Sequence, residues 1–203
     1  MHPLLKIYLF VLVVATLVAV VPVPRPREEV PTTIPLERSV ASIRVIPQRP
    51  HVLGYERAEF GATWGRRGAC STREATMVAA FPLSDGCGAH GTTPDPYTGR
   101  TLVPADVEID HIFPLAAAWD LGAATWTAER RLEFANDPIN LVAVSKSANR
   151  EKSDQLPSAW LPPRVDARCW YVSALAHVAA TYQLRLSEAD VDTMNGQCRR
   201  SIG

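Results

Sequence analysis

The sequence predicts an α+β domain: two short strands and a following helix at the centre of the chain, flanked by further helices. Three observations carry this. Val107 to Ile112 alternates apolar and polar residues, and Ile139 to Val144 forms a second strand-like run after the turn signal Asn136-Asp137-Pro138. Ser145 or Ser147 then opens a helix that carries Asn149, Arg150 and Lys152. Finally, Asp166 to Tyr182 is amphipathic over the longest stretch of the chain. No pattern points to a parallel sheet.

The other elements follow in order. Leu4 to Val21 is apolar apart from Lys6 and Thr16, and His2 and Lys6 give it a weakly positive start. It is long for a signal-peptide core and about the minimum for a membrane span. No clean small-x-small cleavage site is present. Residues 1–21 are therefore expected to be a cleaved signal peptide or a retained N-terminal membrane anchor. Both place the body of the protein outside the cytoplasm, in a secreted or cell-envelope location, although Arg25 and Arg27 run against that orientation. Residues 22–50 hold seven prolines without apolar periodicity and read as an extended linker. The folded domain is expected over 51–203. Glu56 to Ala80 predicts short helices, and Ser84 to Thr101 is rich in turns. After the first central strand, Pro114 stops the chain and Leu115 to Asp120 begins a short helix. Thr127 caps a second one running to about Ala135. Ser187-Glu188-Ala189-Asp190 resembles a capping box and opens a last helix.

Composition narrows the function. The 203 residues suffice for one ordinary core, and 21 basic residues against 21 acidic ones leave no global field toward nucleic acid. A locally basic patch is enough for a nucleic-acid enzyme. The chain has only three lysines, and two of them, Lys146 and Lys152, flank Asn149. The four cysteines, Cys70, Cys87, Cys169 and Cys198, include no close pair, which argues against a zinc knuckle and for two disulfides. Three pairings are open; the two that close short loops, Cys70–Cys87 and Cys169–Cys198, are the simplest.

The chemistry concentrates in Glu108-Ile109-Asp110-His111-Ile112-Phe113-Pro114, in Asn140-Leu141, and in Ser147-Ala148-Asn149-Arg150-Glu151-Lys152-Ser153-Asp154. Phosphodiester hydrolysis needs an activated water, a cation on the developing charge and relief for the leaving oxygen. His111 has an ordinary pKa near neutrality and can take the proton from water. Asp110 points to the opposite face of the strand and can reach a metal; Asn149 adds a second hard oxygen, which suits Mg²⁺, with Mn²⁺ or another divalent ion as alternatives. Asn140 can orient the segment carrying His111. Lys146, Arg150 and Lys152 supply cations for phosphate oxygens, Lys152 being counted with the catalytic groups. Glu108 shares a face with Asp110 and is expected to be an exposed or ion-paired strand residue; Asp154 is expected to be a structural group at a helix end. Trp119, Trp126, Trp160 and Trp170 are assigned to packing, and His51, His90 and His177 receive no role.

Asp-His-Ile-x-Pro, then Asn-Leu, then Asn-Arg-x-Lys-Ser-Asp resembles the HNH endonuclease motif in its His-Asn-Asn form. It is similar to the HNH domains of RNA-guided CRISPR nucleases and to the C-terminal domain of GmrSD-type restriction endonucleases. Asp95-Pro96-Tyr97-Thr98-Gly99, Trp119-Asp120, Phe134-Ala135-Asn136-Asp137 and Trp160-Leu161-Pro162-Pro163 resemble the wider frame of exported bacterial HNH-family proteins. The resemblance implies a ββα-metal (His-Me finger) core embedded in additional helices. It also implies His111 as general base, Asp110 and Asn149 as ligands of one divalent metal, and Asn140 as the residue positioning the base. The substrate implied is DNA, with RNA open, and no protein partner is expected. A non-catalytic cell-envelope module that keeps the frame and binds nucleic acid or protein is the alternative.

Overall fold

The computed structural model describes residues 35–198. The expected signal peptide or anchor at 1–21 lies outside the described residues, and among these no helix is long and apolar enough to cross a membrane. The chain runs α1 (Leu36–Val40), β1 (Val45–Ile46), β2 (Arg66–Arg67), β3 (Cys70–Ser71), α2 (Thr72–Ala80), β4 (Leu83–Asp85), β5 (Gly88–His90), β6 (Thr93–Pro94) and β7 (Thr101–Leu102). It continues through β8 (Val107–His111), α3 (Leu115–Leu121), α4 (Ala128–Asn136), β9 (Leu141–Ser145), α5 (Lys146–Lys152), α6 (Arg168–Tyr182), β10 (Leu186–Ser187) and α7 (Glu188–Cys198). This is the mixed α and β architecture that the patterning predicts.

The centre is an antiparallel pair followed directly by a helix. β8 pairs with β9 from Val107 opposite Ser145 to His111 opposite Leu141. Period-two alternation gives the pair two apolar faces rather than one. Val107, Ile109, Leu141 and Ala143 pack with Met77, Phe81 and Leu102 in a small core under α2. Val144 and the adjoining Val142 belong instead to the large core, with Phe113, Phe134, Tyr171 and Leu175. The pair is therefore clamped from both sides, so a one-residue slip would empty two cores at once. Ser145 ends β9 and caps α5, its side chain accepting from the Ala148 amide; Thr127 caps α4 in the same way. The caps expected at both positions are present.

Cys70 is bonded to Cys87 and Cys169 to Cys198, with Cα separations of 5.5 Å and 4.7 Å. The first ties the start of α2 to the β4–β5 hairpin, and the second ties α6 to the end of α7. These are the two short-loop pairings.

The linker expected over 22–50 is corrected by the structure from Pro35 onward. Leu36 and Ile43 are buried in the large core, and α1 packs on α6. β1 pairs with β10 in a two-residue parallel ladder, a local exception to the absence of parallel pairing. Arg49 donates to Asp120 and to Asp154. Prolines at 35, 47 and 50 shape this segment without freeing it, because Leu36, Ile43 and Ile46 each find an apolar seat. The folded unit thus begins before His51.

Candidate active site

β8 holds Asp110 and His111 on opposite faces, and the structure gives each a different environment. Asp110 is only 5% exposed. Its Oδ1 accepts from Lys152 Nζ at 2.9 Å and its Oδ2 from the Tyr97 hydroxyl at 2.6 Å. Lys152 has no exposed surface and donates a second bond, also 2.9 Å, to the carbonyl of His111. Burial pushes the Asp110 carboxyl up and the Lys152 ammonium down, and each charge restores the other. The expectation that Lys152 reaches phosphate is therefore corrected: it is an internal counter-ion, locked between the strand and α5.

Tyr97 is delivered by a turn. The Asp95 carboxylate accepts from the Tyr97 amide at 3.0 Å and the Thr98 hydroxyl at 2.7 Å, and Gly99, at φ 75°, closes the loop onto the Asp95 carbonyl. Asp-Pro-Tyr-Thr-Gly is thus a folded bracket that aims one phenol at Asp110. Desolvation drives that phenol well above its usual range, so it stays a donor.

His111 is buried too. Its Nε2 lies 2.9 Å from the Ala135 carbonyl. A carbonyl only accepts, so the ring proton sits on Nε2 and Nδ1 keeps its lone pair. The Trp64 indole lies parallel to the imidazole, with 5.6 Å between centroids and 7° between planes. Burial first, then the charges of Arg57 and Lys152, hold the imidazole down to about 4 against the hydrogen bond to Ala135. The ring is neutral at physiological pH.

Asn140 clasps the residues after His111. Its Oδ1 accepts from the Phe113 amide at 2.7 Å, its Nδ2 donates to the Phe113 carbonyl at 3.2 Å, and its own carbonyl accepts from the Ile112 amide at 2.8 Å. An amide is the side chain that can donate and accept at one peptide, which is why asparagine fits here.

On α5, Asn149 donates Nδ2 to Glu108 Oε2 at 2.9 Å. A carboxylate only accepts, so this bond sets the amide's orientation and leaves Oδ1, which takes no hydrogen bond among the described residues. Arg150 pairs with the other Glu108 oxygen at 3.2 Å. Asn149 foremost, with Arg150 behind it, pulls Glu108 below its usual range. Glu108 is the ion-paired strand residue expected, with the added task of holding Asn149. Lys146 donates to the Ala105 carbonyl at 2.6 Å. Neither Lys146 nor Arg150 lines the cleft described next, which corrects their place as direct partners of a phosphate bound there.

Asp110, His111 and Asn149 converge on one cleft of about 430 Å³, whose other walls include Tyr55, Arg57, Ser153 and Asp154. Asp154 is a structural group as expected, paired with Arg49 at 2.9 Å. Among the described residues each Asp110 oxygen accepts one side-chain hydrogen bond and Asn149 Oδ1 accepts none, which leaves lone pairs on both groups. This donor set fits a hard divalent cation with open positions. Among the described residues no cluster of three or more His, Cys, Asp or Glu side chains forms a fuller metal cage. Three residues at the site had no assignment from sequence. Tyr97 had a visible signal in its Asp95–Gly99 turn; Arg57 and Trp64 had none, since they reach His111 only through the folded chain.

Comparison with known proteins gives the family. The profile of GmrSD restriction endonucleases, C-terminal domain, matches residues 84–191, which spans both strands, α5 and most of the helical flank. An uncharacterized secreted protein of the fungus Arthroderma benhamiae is 36% identical over 191 residues, covering 90% of this chain and 93% of that protein. No solved structure matches significantly.

Proposed function

Since the chain belongs to the family of GmrSD restriction endonuclease C-terminal domains, we propose that it is an exported, metal-dependent endonuclease of the HNH type, hydrolysing phosphodiester bonds of DNA. RNA is the second substrate to try. The observation that carries this reading is the cleft in which Asp110, His111 and Asn149 meet. Asp110 and Asn149 would hold one divalent ion, Mg²⁺ or Mn²⁺, which when bound neutralises charge on the phosphate and on the leaving oxygen.

The chain's own residues do the rest. His111 Nδ1 accepts the proton of the attacking water, while Nε2 stays anchored on the Ala135 carbonyl and Trp64 fixes the ring plane. Asn140 holds the Ile112-Phe113 backbone, and with it the approach of the imidazole. Lys152 and Tyr97 fix the Asp110 carboxylate and oppose the upward push that burial gives it. Export rests on the family relative described as secreted and on four cysteines that are all paired. The apolar 1–21 segment is the proposed signal or anchor.

Two observations favour a second reading. Asp110 already has a partner on each oxygen, and His111 is held at about 4, well below the ideal for a base. Both fit a cell-envelope binder that has kept the frame and lost the chemistry. Supercoiled plasmid with Mg²⁺, Mn²⁺ or EDTA separates the two. The nuclease reading expects metal-dependent nicking, lost by at least a hundredfold in His111→Ala with the fold intact. Uncut plasmid with every metal, for wild type and variant alike, hands the case to the binder.

A further inference from the structure

We propose that Arg57 grips the phosphodiester strand in this cleft, as the one guanidinium placed to meet a phosphate beside His111. The proposal rests on the nuclease reading and extends it to a residue outside the motif. Among the described residues, Arg57 is the only arginine or lysine lining the cleft. It also borders a smaller adjoining cavity of about 90 Å³, and Arg57, His111 and Leu115 are the three residues common to both. Arg57 thus lies on the imidazole's side of the site.

Other arginines nearby are committed. Arg49 binds Asp120 and Asp154, Arg130 donates to the Tyr182 carbonyl, Arg131 pairs with Glu59, and Arg150 pairs with Glu108. The exposed Arg57 side chain has no hydrogen bond or ion pair among the described residues. A cation left without an acid on the wall of the cleft has a ready use for an anionic ligand.

The backbone beneath it is fixed. Arg57 opens the 3₁₀ turn Arg57–Phe60, whose Phe60 is buried against Trp119 and Phe134. Arg131 holds the Glu59 carbonyl and carboxylate. Gly61, at φ 105°, ends the turn where a Cβ would come within 2.6 Å of Leu132, and the Gly65 amide is held by Asn136. A long, rotatable side chain on a rigid turn suits a strand that must enter and leave.

The test uses the full chain as wild type, Arg57→Ala and Arg57→Lys, all checked for unchanged thermal unfolding. Binding to a short labelled DNA duplex is measured in EDTA over a salt series, and plasmid nicking is measured with Mg²⁺. For Arg57→Ala the expectation is about tenfold weaker binding and a salt slope smaller by about one, with partial recovery in Arg57→Lys. Nicking by Arg57→Ala should fall about a hundredfold. Equal affinity and slope for wild type and Arg57→Ala overturn the assignment even if both nick plasmid, in which case the hydrolytic reading survives alone. An Arg57-dependent slope with no nicking by any form upholds phosphate binding and removes hydrolysis. No binding by wild type overturns this proposal directly.

Discussion

The two walls of the cleft are built on opposite terms. The wall made by β8 and α5 is a closed polar network: Asp110, Lys152 and Tyr97 satisfy one another, Asn140 clasps Phe113, and Glu108 holds Asn149. The facing wall, from Tyr55 to Gly65, is anchored by Phe60, Gly61 and Gly65 but leaves Arg57 uncommitted at its surface. The first wall spends its hydrogen bonds on shape, so breaking its buried Asp110–Lys152 pair stresses the fold. The second separates anchor from contact, so its contacts can be changed freely. A preorganised wall and an adjustable one thus belong to different segments of one chain.

The sharpest way to break the comparison is Lys152→Met. It leaves the Asp110 carboxylate buried without its counter-ion, at an expected cost of about 3–5 kcal/mol in urea unfolding. Adding Asp110→Asn should recover much of that loss, since the stranded charge is gone. An unchanged midpoint for the single variant would show that the closed wall is no network at all.

Next in size is the pH dependence of the metal-free protein. The folded imidazole of His111 sits at about 4, against an ordinary value of 6.5 for the unfolded chain. Below 6.5 the unfolded chain takes up a proton that the folded one refuses. Stability from this group is therefore complete above about 6.5, declines as pH falls, and is exhausted near 4. The loss should be on the order of 3 kcal/mol and should vanish in His111→Phe, with carboxylate effects common to both proteins. Identical pH profiles would mean that the ring is not held neutral by burial.

The smallest effect belongs to the open wall. Arg57→Ala should shift unfolding by no more than about 0.5 kcal/mol while altering binding as described above. A large loss of stability would place Arg57 in the scaffold and erase the contrast.

How much of this was legible depended on distance along the chain. The alternation of Val107–Ile112, the serine that caps α5 and the short disulfide loops are local signals, and they produced the central strands, the helix and both pairings. The Leu36–Pro50 segment was hidden because its few apolar residues have no period and its prolines read as spacer. Tyr97 sits in a legible turn, but nothing local says that its hydroxyl meets a carboxylate thirteen residues on. The place of Lys152 follows from helix geometry. Lying three residues after Asn149, it must share that side chain's face of α5, and hence turn toward β8 rather than solvent. Trp64 and Arg57 had no sequence signal, because their relation to His111 exists only in the folded chain.

The most direct measurement is anomalous diffraction from crystals soaked in Mn²⁺. The expected result is a single strong peak within coordination distance of Asp110 and of Asn149 Oδ1, absent from Asn149→Ala crystals of the same form. A soaked crystal with no peak in the cleft, and Asp110 still held only by Lys152 and Tyr97, would contradict it.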